Sequence, residues 1–213
     1  FGQRLGFPYG GEQAGTVHFW KSREWDITRE PMGQAVDCTA LQMHQAMSVI
    51  AAGGILYRPQ IIREIRDTSG EAVSRYTRTE ANRVISPQTA RAMAQMLMGV
   101  ASKEGTAPEA AITDFEVAGK TGTAQKYIKG KPSERNHVVS FVGFFPASQP
   151  QVAISVIVDD ADAGAPGGVA YGSKVAAPVF KRLGEKLIPI LDIKSPNQSV
   201  RPPLFAAAGG GPR

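Results

Sequence analysis

Residues 118–125 read Ala118-Gly119-Lys120-Thr121-Gly122-Thr123-Ala124-Gln125. All but Gln125 belong to a β-rich run, Phe115 to Ala124, that is predicted to be a strand carrying Gly119 to Thr123. On such a strand Lys120 supplies a fixed positive charge. Gly122 has no side chain, so another backbone can approach closely. The hydroxyls of Thr121 and Thr123 can hold a carboxylate, and the Thr123 backbone N–H can act as an oxyanion donor. The segment therefore reads as a cleft edge, with Lys120 and Thr123 as candidate catalytic residues and Thr121, Gly122 and Thr123 as candidate substrate-binding residues.

Downstream, Val138 to Phe145 and Gln151 to Val158 are two further β-rich runs, joined by the short link Pro146 to Pro150 and predicted to pair as an antiparallel hairpin. Lys126 to Asn136 is polar and broken by Gly and Pro, and is expected to be a loop. Asp159 to Tyr171 is Gly-rich and reads as a flexible stretch. Val175, Val179, Phe180, Leu183 and Leu187 recur at helical spacing, with Pro178 placed in the first turn or at a kink. Upstream, residues 1–37 read as loop with short elements. Thr39 and Gln42 form a T-x-x-Q capping box that opens a helix carrying Leu41, Met47, Ile50 and Ala51. Gly53-Gly54 closes it in the left-handed conformation. Ile61 to Asp67 and Ala72 to Tyr76 flank Ser69-Gly70 as a second hairpin. Ser86-Pro87 opens a helix whose apolar face is Met93, Met96, Leu97 and Val100. Helices and a hairpin, three sequential strands and a closing helix give an α+β fold, an antiparallel sheet packed with helices.

Composition narrows the function. The chain has 213 residues, 42% of them hydrophobic, which suits a globular domain or part of one. Lys+Arg 24 against Asp+Glu 19 gives +5, and the basic residues are scattered, so there is no nucleic-acid footprint. The one cysteine, Cys38, cannot form an internal disulfide and reads as a packed residue. His18, His44 and His137 share no metal-ligand spacing, and neither a metal nor a cofactor is expected. Asp159, Asp160 and Asp162 read as solvated turn residues rather than a cation site.

K-T-G alone is a weak signal, but with S-x-x-K and S-D-N it belongs to the signature of penicillin-binding proteins and class A β-lactamases. The run 118–125 resembles the K-T-G block of class B (monofunctional) penicillin-binding proteins. Further blocks follow in the family's order: Gly33-Gln34 with Cys38-Thr39-Ala40-Leu41-Gln42, Ala51-Ala52-Gly53-Gly54 with Arg58-Pro59, Gly105-Thr106-Ala107, Ser140 to Pro146, and Ala176-Ala177-Pro178-Val179-Phe180. The resemblance covers about residues 1–190 and is greatest to the cell-division (septal) type. Residues 191–213, rich in Pro, Ala and Gly, read as a disordered tail. Two departures, Ala40 for the usual proline and Cys38-Thr39 for valine-threonine, do not touch the chemistry.

The resemblance implies a serine-type D,D-transpeptidase domain that cross-links peptidoglycan stem peptides, is acylated by β-lactam antibiotics, and works at the extracytoplasmic face of the bacterial inner membrane with divisome membrane proteins as partners. Yet no serine here is followed by Lys three positions on, and the one Ser-x-Asn, Ser195-Pro196-Asn197, comes after K-T-G instead of before it. The nucleophile, its lysine and the membrane anchor are therefore expected upstream, in another half of the same domain, and the chain alone is expected to be inactive. The alternative is a non-catalytic scaffold or binding module with the same fold. A β-lactamase relative would share K-T-G but not the longer blocks. A three-stranded sheet with a free edge is expected to need partner strands or to self-associate.

Overall fold

The computed structural model describes residues 1–17, 28, 30–34, 36–161 and 168–195. In chain order its elements are β1 (Thr16–Val17), β2 (Val36–Asp37), α1 (Ala40–Ala51), β3 (Ile55–Tyr57), β4 (Glu64–Arg66), β5 (Ala72–Arg75), β6 (Glu80–Arg83), α2 (Pro87–Met98), β7 (Ala118–Ile128), β8 (Lys131–Phe145), β9 (Val152–Asp159) and α3 (Gly172–Leu191). The antiparallel sheet β7-β8-β9 is the platform of the fold. His18, Trp20, Trp25, Asp162 and the tail from Pro196 lie outside the described residues.

β8 runs through the middle of this sheet, and its side chains alternate between two covered faces. Phe141 and Phe145 enter one core with Ala176, Ala177 and Phe180 of α3. Val142 and Phe144 enter the other with Met47 of α1 and Leu97 of α2. Burial on both faces explains why Val138–Phe145 reads as a nearly unbroken apolar run. Gly119 and Gly143 face each other in register. A Cβ on Gly119 would lie 2.5 Å from Phe141 Cζ, and one on Gly143 would lie 2.6 Å from the Ala118 carbonyl oxygen and 3.1 Å from Phe141 Cε1. The two glycines thus make the bed in which the Phe141 ring lies, edge-on to Phe180 at 4.7 Å between centroids.

The helix signals hold. Thr39 and Gln42 form both arms of the capping box, Ser86 accepts from the Thr89 N–H at 3.0 Å with Pro87 at the first position of α2, and Gly53 and Gly54 adopt positive φ. The predicted apolar faces hold except at one position in each of α2 and α3. Met96 is 64% exposed, while Leu97 of the predicted face packs in the core, with Ala94 and Met98 against it. Leu183 is exposed while Gly184 is buried. A Cβ at Gly184 would sit 2.5 Å from Ile112 Cδ1, so α3 approaches through its small residues. Pro178 falls in the second turn of α3 rather than the first, and Pro189 lies inside the same helix.

Three boundaries also differ. The predicted loop 126–136 is strand, because Lys129 (φ 50°) and Gly130 (φ 78°) form a two-residue turn of the kind that suits hairpin twist. The ribbon is exposed over residues 127–131, so it carries no apolar alternation, yet it is paired. The expected hairpin β4-β5 is nested inside an unforeseen pair, β3-β6. After α3 ends at Leu191, Ile193 returns to the core and is 4% exposed, so ordered packing continues past residue 190.

Gly143→Ala forces backbone apart at the centre of the sheet and should cost about 1–3 kcal/mol. Thr39→Ala removes a cap alone and should cost about 1 kcal/mol. Urea melts of the full-length protein should rank them in that order. A Gly143→Ala midpoint equal to wild type would refute the packing described for Phe141.

Candidate active site

β7 is an edge strand: it pairs with β8 on one side only among the described residues. Register sets where its side chains point. Lys120 and Gly122 pair with Val142 and Ser140, on the face covered by α1 and α2. Thr121 and Thr123 pair with Phe141 and Val139, on the face covered by α3. The strand thus brings the predicted residues together along one free edge, with the lysine and the threonines reaching it from opposite faces.

Lys120 is exposed, and its ammonium donates to the Thr121 carbonyl at 3.0 Å and to the Thr121 hydroxyl at 3.4 Å. Two of its three N–H groups point within reach of its own strand, so the charge is held at the edge rather than spread through solvent. Gly122 is required by its neighbour: a Cβ there would lie 2.4 Å from Ser140 Oγ. Thr123 is exposed, yet its Oγ1 accepts the Gly172 N–H at 3.3 Å. Gly172 is the first residue of α3, and a Cβ on it would meet the Ser140 carbonyl oxygen at 2.4 Å and that of Gly122 at 2.7 Å. The positive end of a 20-residue helix is therefore seated directly behind the Gly122–Thr123 backbone. Sequence reasoning missed Gly172. Its signal was the Gly at the start of the closing helix, which has no side-chain cap of its own.

Around the strand, Lys174 of α3 pairs with Glu109 in the turn Pro108–Ala110. The hydrogen bond from Lys174 is the main cause that holds the Glu109 carboxyl below its usual range. His44, on α1, lies 2.8 Å from Ser155 Oγ on β9, and burial pushes its imidazole below the usual value. His137 is buried in β8 opposite Gln125. Cys38 is half-buried, and burial raises its thiol pKa. Asp159 and Asp160 both meet the Lys126 ammonium, at 2.9 Å each. No group of three His, Cys, Asp or Glu among the described residues could hold a metal ion. A cavity of about 180 Å³ opens near the start of β7, lined by Met98, Phe115 and Glu116 among others, away from Lys120–Thr123.

This fold and edge define a class of protein. Residues 1–185 match the penicillin-binding protein transpeptidase domain, and the chain belongs to that family. Within it the chain is of the class B, cell-division-like kind. It is 35% identical over 197 residues to stage V sporulation protein D of Bacillus subtilis, covering 91% of this chain and 30% of that protein. It is 30% identical over 204 residues to the probable peptidoglycan D,D-transpeptidase PenA of Neisseria gonorrhoeae, covering 95% and 31%. Among solved structures it superposes on penicillin-binding protein 3 of Mycobacterium tuberculosis complexed with ampicillin with a TM-score of 0.79 and 31% identity, over 96% of this chain and 46% of that one. The chain spans about a third of the length of the curated relatives it matches.

The Glu109–Lys174 pair ties α3 to the rest of the core, and its effect on stability has a definite sign. A carboxyl whose folded pKa lies below its unfolded value near 4.5 stabilises the fold above that pH and loses the contribution as pH falls through the folded value. Both side chains are partly exposed, so the difference between wild type and Glu109→Gln should be at most about 1 kcal/mol at neutral pH. It should shrink towards zero in acid. Urea melts across that pH range measure it, and a difference that grew in acid would contradict the assignment.

Proposed function

We propose that this chain is the K-T-G-bearing part of a peptidoglycan D,D-transpeptidase of the bacterial cell envelope, whose serine nucleophile lies outside these 213 residues. The observation that carries the reading is the free edge of β7. It offers a lysine charge, a glycine that lets a backbone approach, and two threonine hydroxyls within four consecutive residues, Lys120–Thr123. In the proposed reaction the serine oxygen attacks the carbonyl carbon of the D-Ala–D-Ala amide. The C–N bond breaks, the terminal D-Ala leaves as an amine after taking up a proton, and a serine ester remains. The amine of a neighbouring stem peptide then attacks the ester, forms the cross-linking amide and returns the proton to the serine.

Each residue of the edge has a part in that scheme. Lys120 attracts the substrate carboxylate and assists proton handling. The Thr121 and Thr123 hydroxyls hold the carboxylate. Because Thr123 Oγ1 accepts the Gly172 N–H, its own O–H is left to donate outward, and the α3 N-terminus adds a favourable potential for an anion. The Thr123 N–H stabilises the oxyanion. A β-lactam carries a carboxylate and a strained amide, so it follows the same path as far as the ester. No helix among the described residues is long and apolar enough to cross a membrane, and the extracytoplasmic placement and its anchor belong to the proposal.

In the full-length protein, Lys120→Ala should slow acylation by a fluorescent penicillin by about 10²-fold or more. Thr123→Ala should slow it by about tenfold, through loss of one hydrogen bond to a charged group. Rates for Lys120→Ala equal to wild type would remove Lys120 from the site.

A further inference from the structure

Beyond Thr123, β7 carries a second lysine that the scheme above does not use. The register with β8 shifts between Gln125 and Tyr127, an irregularity that frees Lys126 from the simple alternation of the strand. Its ammonium reaches the far side of the sheet and lies 2.9 Å from Asp159 Oδ1 and 2.9 Å from Asp160 Oδ2. Asp159 ends β9, which is separated from β7 by the whole of β8. Asn136 of β8 donates to the other oxygen of Asp160 at 3.2 Å. The bridge therefore spans all three strands at the end where the chain leaves the sheet for α3.

A lone surface ion pair contributes little to stability. This one differs in three ways. The lysine side chain is only 27% exposed. It sits between two like charges that are neighbours in sequence and offsets their repulsion. Asp160 has a φ of 54°, in the left-handed region that residues with a side chain adopt uncommonly. The contacts of Lys126 and Asn136 fix its side chain there. From Asp160 the constraint passes through packed atoms. Ala161 donates its N–H to the His137 carbonyl at 3.3 Å and packs with Ala170 against Val139. Val175, in the first turn of α3, packs on the same cluster. Two residues after Ala170 comes Gly172, whose N–H meets the Thr123 hydroxyl.

We propose that Lys126 is a positioning residue: by bridging Asp159 and Asp160 it fixes the start of α3 against β7 and so sets the carboxylate-binding end of the site at Thr123. This rests on the transpeptidase reading above. It makes a selective claim. Through the Gly172 contact with the Thr123 hydroxyl, Lys126 acts on how tightly a carboxylate-bearing ligand is held before reaction, not on the acylation step itself, which the serine, Lys120 and the Thr123 backbone N–H carry out.

The test uses the full-length protein and the concentration dependence of its acylation by a fluorescent penicillin, which separates the dissociation constant of the initial complex from the acylation rate constant. Lys126→Met should raise the dissociation constant about tenfold while the acylation rate constant stays within about twofold. Lys126→Arg, which can still bridge two carboxylates, should restore it, and Asp160→Asn, which tolerates the same backbone conformation, should give part of the Lys126→Met effect. A wild-type dissociation constant in Lys126→Met would overturn the proposal. So would a fall in the fraction of labelled protein with both constants unchanged, since that describes a merely structural role. Failure of the wild-type protein to react at all would instead sink the transpeptidase reading.

Discussion

The arrangement turns on one contact: the Phe141 ring lying across the paired glycines Gly119 and Gly143 and meeting Phe180 edge-on. Burial of a phenylalanine is worth about 1.5–3 kcal/mol, and an edge-to-face partner adds about 0.5–1.5 kcal/mol. The contact matters more for position than for energy. With no Cβ at either glycine, Phe141 lies flat on the sheet, and α3 can come close through Ala176, Ala177 and Gly184. A larger residue at any of these positions would lift the helix.

Close docking of α3 has a chemical consequence. It seats Gly172 on the backbone of Gly122 and Ser140 and gives Thr123 a fixed hydrogen bond. The glycine at position 119 is thus tied to the behaviour of a threonine four residues on, through a helix that starts 53 residues later. The K-T-G segment is better seen as the exposed rim of a packed layer than as a free-standing motif. The Lys126 bridge works on the same contact from the other end of the strand.

Much of this was legible in the sequence because local physics announces it. Thr39-x-x-Gln42, Ser86-Pro87 and Gly53-Gly54 fix helix ends through backbone hydrogen bonds and positive φ, which depend on few neighbours. The β-rich runs 115–124, 138–145 and 151–158 correspond to the three strands in their order. What was not legible depends on distant partners. The polar ribbon 126–136 is strand because of a two-residue turn and cross-strand pairing, not because of apolar alternation. On α3, Val175, Val179, Phe180 and Leu187 reach the core as their spacing predicts, but Leu183 is outside and Gly184 inside, because the helix approaches the core there through a small residue. The pair β3-β6 encloses another hairpin and gives no local signal. At the site, Lys120 to Thr123 could be named from their chemistry, but Gly172 and Lys126 are defined only by what the fold brings to them.

The free edge of β7 is the feature on which the functional account stands, and the central claim is that it forms one wall of a site acylated by β-lactams. The most direct measurement is the intact mass of the full-length protein after exposure to a penicillin, followed by peptide mapping. The account predicts a single penicilloyl adduct on a serine of an S-x-x-K sequence outside residues 1–213. A protein whose mass does not change would contradict it, and the fold would then be serving as a scaffold.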